Sequence, residues 1–172
     1  MIPMQQTNFP TYVFATVNPG MSKKVVEELK NINAVEFVAP LAGRFDLAIR
    51  FKQTAPEQVY QFIQQIRSIQ GITGTFTAPA FNGFQATNFQ SQFPLGITLF
   101  NVTSPVETFL AQLKTVPGLV EAYTVPGQFD ILALWQAKST DEIVKASVER
   151  LPTLQGISKS ETLLAQAPLF KA

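Results

Sequence analysis

Apolar positions along this chain change their period in a fixed order, and they do so twice. Thr11 to Val17 and Leu95 to Val102 are β-branched and aromatic runs of strand type. Each gives way to helical spacing: Val25, Val26, Leu29 and Ile32 in the first half, Phe109, Leu110, Leu113 and Val116 in the second. Two further strands follow, split by a turn at Gly43 or at Gly127. A second helix is predicted next, its apolar face formed by Val59, Ile63 and Ile66, or by Ile143, Val144, Val148 and Leu151. A last strand runs from Ile72 to Ala78, or from Ile157 to Ala165.

Punctuation between these segments agrees with the periods. Ser104-Pro105-Val106-Glu107, Thr54-Ala55-Pro56-Glu57 and Ser139-Thr140-Asp141-Glu142 read as capping boxes, the first with Pro opening the helix. Gly71 and Gly156 suit helix exits, where a left-handed backbone is common. The order in each half is therefore βαββαβ, the ferredoxin-like split βαβ unit.

Matched residues reinforce the duplication. At a constant shift of 84, Leu29-Lys30 falls on Leu113-Lys114, Gly43 on Gly127, and Phe45-Asp46 on Phe129-Asp130. After one inserted residue, Glu57 falls on Glu142, Gln70-Gly71-Ile72 on Gln155-Gly156-Ile157, and Thr77 on Thr162. In Phe129-Asp130-Ile131-Leu132-Ala133-Leu134-Trp135 both alternating faces are largely apolar, which marks a strand covered on both sides. The expected fold class is thus α+β: two ferredoxin-like βαββαβ repeats packed as an intramolecular dimeric α/β barrel. The expected divisions are a tail over 1–10, a first repeat over 11–80, a Phe/Gln-rich linker over 81–93 and a second repeat over 94–172. The stretch AFNGFQATNFQSQFP carries Phe81, Phe84, Phe89 and Phe93 and no charge, so it is expected to lie ordered across the body with several Phe in apolar grooves.

Composition narrows the chemistry. With 46% hydrophobic residues among 172, a real core is available, while 15% charged residues lies below the average of about 25%. The formal net charge of +1 gives no nucleic-acid footprint. The chain has no Cys and no His, which removes thiolate nucleophiles, zinc ribbons, histidine metal sites, Ser-His-Asp triads and His-ligated haem together. No cofactor is expected. No apolar run approaches the ~18 residues of a membrane span, and Met1 to Pro10 lacks a signal-peptide pattern, so a cytoplasmic protein is expected.

The run Pro117-Gly118-Leu119-Val120-Glu121-Ala122-Tyr123-Thr124-Val125-Pro126-Gly127-Gln128-Phe129-Asp130 resembles the effector-binding domain of the Lrp/AsnC regulators, also called the regulation-of-amino-acid-metabolism domain. There a PGV-like helix exit leads through a strand to a glycine–X–aromatic–Asp turn. The first half keeps that turn as Gly43-Arg44-Phe45-Asp46 and adds Asn18-Pro19-Gly20 after its first strand, but has Asn33-Ala34-Val35 at the helix exit. The resemblance implies the same βαββαβ unit, pairing into dimeric α/β barrels, and a small-molecule effector, often an amino acid. Family members usually carry an N-terminal helix-turn-helix. About ten residues precede the first strand here, so a stand-alone effector-binding body without direct DNA binding is the expectation. The fused pair departs from the family's single domain and leaves homo-oligomers of such pseudo-dimers open.

In the family the turn lies near the cleft where effectors bind, which singles out Gly43, Arg44, Phe45 and Asp46 with Gly127, Gln128, Phe129 and Asp130. Gly lets a backbone approach a ligand, and Asp accepts from an ammonium group; local backbone bonding would also explain that Asp. Arg44 is suited to a carboxylate. Thr75, Thr77, Ser160 and Thr162 alternate along the last strands, where the family places polar side chains near its effector. Glu107, Glu121, Asp130, Asp141 and Glu142 read as residues of caps, turns or strand ends rather than a catalytic pair. Tyr12, Tyr60 and Tyr123 read as packing residues. The leading expectation is a small-molecule sensor or regulatory module. A protein-interaction module comes second, and a cofactor-free enzyme of dimeric α/β-barrel type third.

Overall fold

The computed structural model describes residues 9–52 and 55–166. Along the chain these form β1 (Thr11–Val17), α1 (Ser22–Lys30), β2 (Val35–Ala42), β3 (Leu47–Phe51), α2 (Pro56–Arg67) and β4 (Ile72–Pro79). Then come β5 (Asn82–Gln85), β6 (Leu95–Val102), α3 (Val106–Leu113), β7 (Leu119–Thr124), β8 (Ile131–Gln136), α4 (Thr140–Glu149) and, after a short 3-10 turn, β9 (Ile157–Ala165). Every strand pairing is antiparallel. The sheet order is β4-β1-β3-β2-β9-β6-β8-β7-β5, so the two repeats have the same internal order. They meet where Leu41 and Ala42 of β2 oppose Ala165 and Leu164 of β9.

β5, a strand within the expected linker, adds to β7 with Asn82 opposite Thr124 and Gln85 opposite Glu121. The strands at the two ends of the sheet order, β4 and β5, are consecutive in the chain. Ala80 and Phe81 join them, donating their N–H groups to the Pro10 and Thr124 carbonyls at 3.1 and 3.0 Å.

Alternation along the strands feeds three cores. Val13, Ala15 and Val17 of β1 face α1 and α2 together with Val25, Leu29 and Ile66. Phe100, Ala133 and Trp135 face α3 and α4 with Phe109, Leu113 and Ile143. The opposite faces of both sheets contribute to one central cluster, with Tyr12, Phe14 and Phe37 from the first repeat and Leu95, Ile97, Leu99 and Leu132 from the second. Burial on both faces explains why β8 reads as apolar throughout.

Some local details depart from the sequence reading. α4 buries Ile143, followed by Leu151 in the 3-10 turn, while Val144 and Val148 are exposed. One helix stripe suffices against the sheet, and both valines lie one position around from it. α3 begins after Pro105, and the Ser104 hydroxyl caps nothing: it is buried without a hydrogen-bond partner. At α2 the Ala55 N–H donates to Gln58 Oε1 (3.4 Å), and Thr54 lies outside the described residues. Ser139 does cap α4, accepting from the Glu142 N–H at 3.2 Å, while Glu142 reaches back to the Lys138 N–H at 2.9 Å.

Candidate functional site

The two Gly-X-Phe-Asp turns are built alike. Gly43 and Gly127 sit at φ +137° and +138°, a region that disfavours any side chain. Asp46 Oδ2 accepts the Val17 N–H at 2.8 Å, and Asp130 Oδ2 accepts the Val102 N–H at 2.9 Å. Both N–H groups lie where strand register slips, between Thr16 and Val17 in one repeat and between Asn101 and Val102 in the other. Each carboxylate thus serves a donor that the ladder releases at a bulge.

Phe45 and Phe129 both enter the central core, bridged by Phe76 at ring distances of 6.0 and 5.9 Å. Arg44 reaches across to the second repeat, its Nε 2.9 Å from Glu161 Oε2 and its guanidinium over the Phe45 and Phe129 rings. Gln128 instead receives the Asn101 amide on its backbone carbonyl at 3.1 Å. The four strand residues face elsewhere. Thr75 and Thr77 lie opposite Ala15 and Val13, and Ser160 opposite Phe100, all on the helix-facing side. Thr162 bonds Thr98 at 2.9 Å, and Thr98 also takes the Trp135 indole N–H. The structure brings the two turns together but not these hydroxyls with them.

A second constellation lies between the repeats. Arg50 of β3 grips Glu121 of β7 with two bonds of 3.0 Å, from Nε to Oε2 and from Nη2 to Oε1. Its Nη1 donates to Glu36 Oε1, and its Nε also contacts the Tyr12 hydroxyl at 3.2 Å. Glu121 sits mid-strand and is 3% exposed, unlike the cap or strand-end position its sequence suggested. Burial pushes its carboxyl up to about 8, with a hydrogen bond from Tyr123 working the other way. Tyr123 is itself pushed up, first by burial and then by the charge of Glu121.

This cluster forms one side of a cavity of about 480 Å³, with Lys52 at its edge. Phe37, Phe89 and Leu134 supply an apolar side. Phe89 comes from the Phe-rich joint and stacks on Phe37 at 5.0 Å. Gln136 fastens that joint: its Nε2 donates to the Gln90 and Phe93 carbonyls at 2.7 and 3.2 Å, and its Oε1 accepts the Gln90 N–H at 2.9 Å. Phe84 packs on the second helical core, while Phe81 is exposed. Among the described residues no cluster of His, Cys, Asp and Glu has metal-binding geometry, and no helix is long and apolar enough to cross a membrane.

Residues 96–170 match the family model of the Lrp/AsnC ligand binding domain. The match covers the second repeat, and the first shares its strand order and its Asp-anchored turn. Over most of its length the chain is similar to an uncharacterized HTH-type transcriptional regulator of Pyrococcus horikoshii, 22% identical across 84% of this chain and 90% of that protein. Solved structures with the same fold include the siroheme decarboxylase NirDL (TM-score 0.65, 10% identity, 91% of this chain and 70% of that one). Chlorite dismutase from Candidatus Nitrospira defluvii is equally similar (TM-score 0.65, 11% identity, 95% of this chain and 91% of that one). At these identities the likeness is one of fold, and function rests on the site.

Proposed function

We propose that this protein is a small-molecule binding module of regulatory type, holding an amino-acid-sized effector in the cavity between its two repeats. On this reading the repeats form one intramolecular α/β barrel, and the ligand occupies the space that their apposed sheets leave open. The observation that carries it is the inter-repeat cavity, where Arg50, Glu36, Glu121 and Lys52 converge beside Phe37 and Leu134. A concave, partly apolar space with a few converging polar groups is the usual form of a ligand site. The Lrp/AsnC match over the second repeat supports binding in place of catalysis. The cavity offers no His or Cys, and its most buried acid is held in the fork of Arg50. The paired turns are a weaker seat, because Asp46, Asp130 and Arg44 all have partners within the protein, whereas Lys52 of the cavity has no ion-pair partner among the described residues.

Thermal-shift measurements with each of the common amino acids at millimolar concentration test the reading. Ligand at a hundred times its Kd adds about 2.7 kcal/mol to stability, a readily measured rise in Tm. No rise with any of them overturns it. A second reading, association through the exposed Val144 and Val148 of α4, predicts a concentration-dependent mass by light scattering.

A further inference from the structure

Equivalent residues of the two repeats face this cavity, and they are not alike. Phe37 and Glu121 are 84 positions apart, as are Arg50 and Leu134. Each pair occupies the same register: Phe37 lies opposite Arg50 and Glu121 opposite Leu134, both just beyond a slip in the ladder. Two identical subunits would have to present the same residue twice at each of these places. Here one member of each pair is polar and ionisable and the other apolar. The ionisable members bond each other across the repeats, and Phe37 and Leu134 are left as the apolar side, extended by Phe89.

Resting on the function proposed above, we infer that the cavity is a single asymmetric seat for one zwitterion with an apolar body. Glu36 with Arg50 and Lys52 gives the polar side groups of both signs for an ammonium and a carboxylate, while Glu121 stays in the fork of Arg50. Lys52 has no ion-pair partner among the described residues and stands ready for the carboxylate. Among the described residues Glu36 is held by Arg50 alone, and its side chain is 36% exposed, which makes it the acid open to an ammonium. Phe37, Phe89 and Leu134 select the remainder of the ligand by apolar contact, where a missing methylene costs roughly tenfold or more in affinity.

Calorimetric titration of the intact protein tests this with leucine, phenylalanine, serine, aspartate and lysine. Two one-charge analogues of leucine, 4-methylpentanoate and 3-methylbutylamine, complete the set. The expected result is one leucine or phenylalanine per chain, bound at least about tenfold more tightly than the polar amino acids or either analogue. Arg50→Leu combined with Glu121→Phe makes the paired positions alike and is expected to abolish that binding. Lys52→Ala, at an exposed site, is expected to weaken it with an unchanged Tm, so the outcome does not hang on one variant folding. Phe89→Ser is expected to erase the preference for apolar bodies. Equal binding of serine or aspartate, or two ligands per chain, overturns the asymmetric seat and leaves the broader function standing. Failure of every amino acid to bind removes both.

Discussion

Arg50 of the first repeat and Glu121 of the second hold each other through two parallel hydrogen bonds of 3.0 Å, across the boundary between the duplicated halves. Removing Arg50 leaves Glu121 buried without its partner, whereas removing Glu121 leaves Arg50 still bonded to Glu36 and Tyr12. Arg50→Ala is expected to cost about 3–5 kcal/mol in urea unfolding, and Glu121→Ala less. The double variant should cost less than the sum of the singles, because the bonds between the two side chains are lost only once. Strict additivity would show that the pair does not join the halves energetically.

Glu121 also makes stability depend on pH. Its ordinary value of 4.5 rises to about 8 in the folded protein through burial. A folded pKa above the unfolded one means that the native state keeps a proton the unfolded chain has released. The contribution is therefore complete below about 4.5 and is lost as pH rises towards 8, at no more than about 1.4 kcal/mol per unit. Tm should fall over that window for the wild type, and Glu121→Gln should flatten the decline. An unchanged slope in the variant would assign the pH response to another group.

The paired aspartates make a symmetrical prediction. Asp46→Ala and Asp130→Ala each orphan one backbone N–H at a bulge, and each should cost about 1–3 kcal/mol. Asn at either place keeps an acceptor and should recover part of the loss. Thermal unfolding of the four variants gives the comparison. A loss confined to one repeat would mean that the matched geometry does not carry matched energy.

Gln136 fixes the aromatic joint through three hydrogen bonds to Gln90 and Phe93. Gln136→Ala should leave the sheet intact while chymotrypsin gains access at Phe89 and Phe93. Limited proteolysis with mass analysis reads this directly. Cleavage no faster than in the wild type would show that the stacking of Phe89 on Phe37 suffices to hold the joint.

Periodicity and matched residues made the element order legible because each strand is apolar in a way that only burial on one or both faces explains. The turns were legible too, since Gly43 and Asp46 recur as Gly127 and Asp130. The charge cluster was harder to see. Arg50 and Glu121 lie 71 positions apart, and their meeting depends on how one repeat seats upon the other. A local signal did exist: each is the lone charge in an otherwise apolar stretch, LAIRF and LVEAYT. A charge in such a stretch is stable only with a partner, and the partner lay in the other repeat. The exposed Val144 and Val148 were misread for a different reason. Helical spacing marks a stripe but not its width, and the sheet covers a narrow one.

The passage from β4 through Ala80 and Phe81 into β5 keeps both halves on one chain. A pocket between separate subunits exists only above the concentration at which they associate. Here the tether sets the local concentration of each half around the other, of order millimolar for a short flexible connection and independent of how much protein is present. The cavity between the repeats is therefore whole at any dilution. Occupancy would follow the amount of ligand alone, and a response built on it would stay the same whether the protein is scarce or abundant.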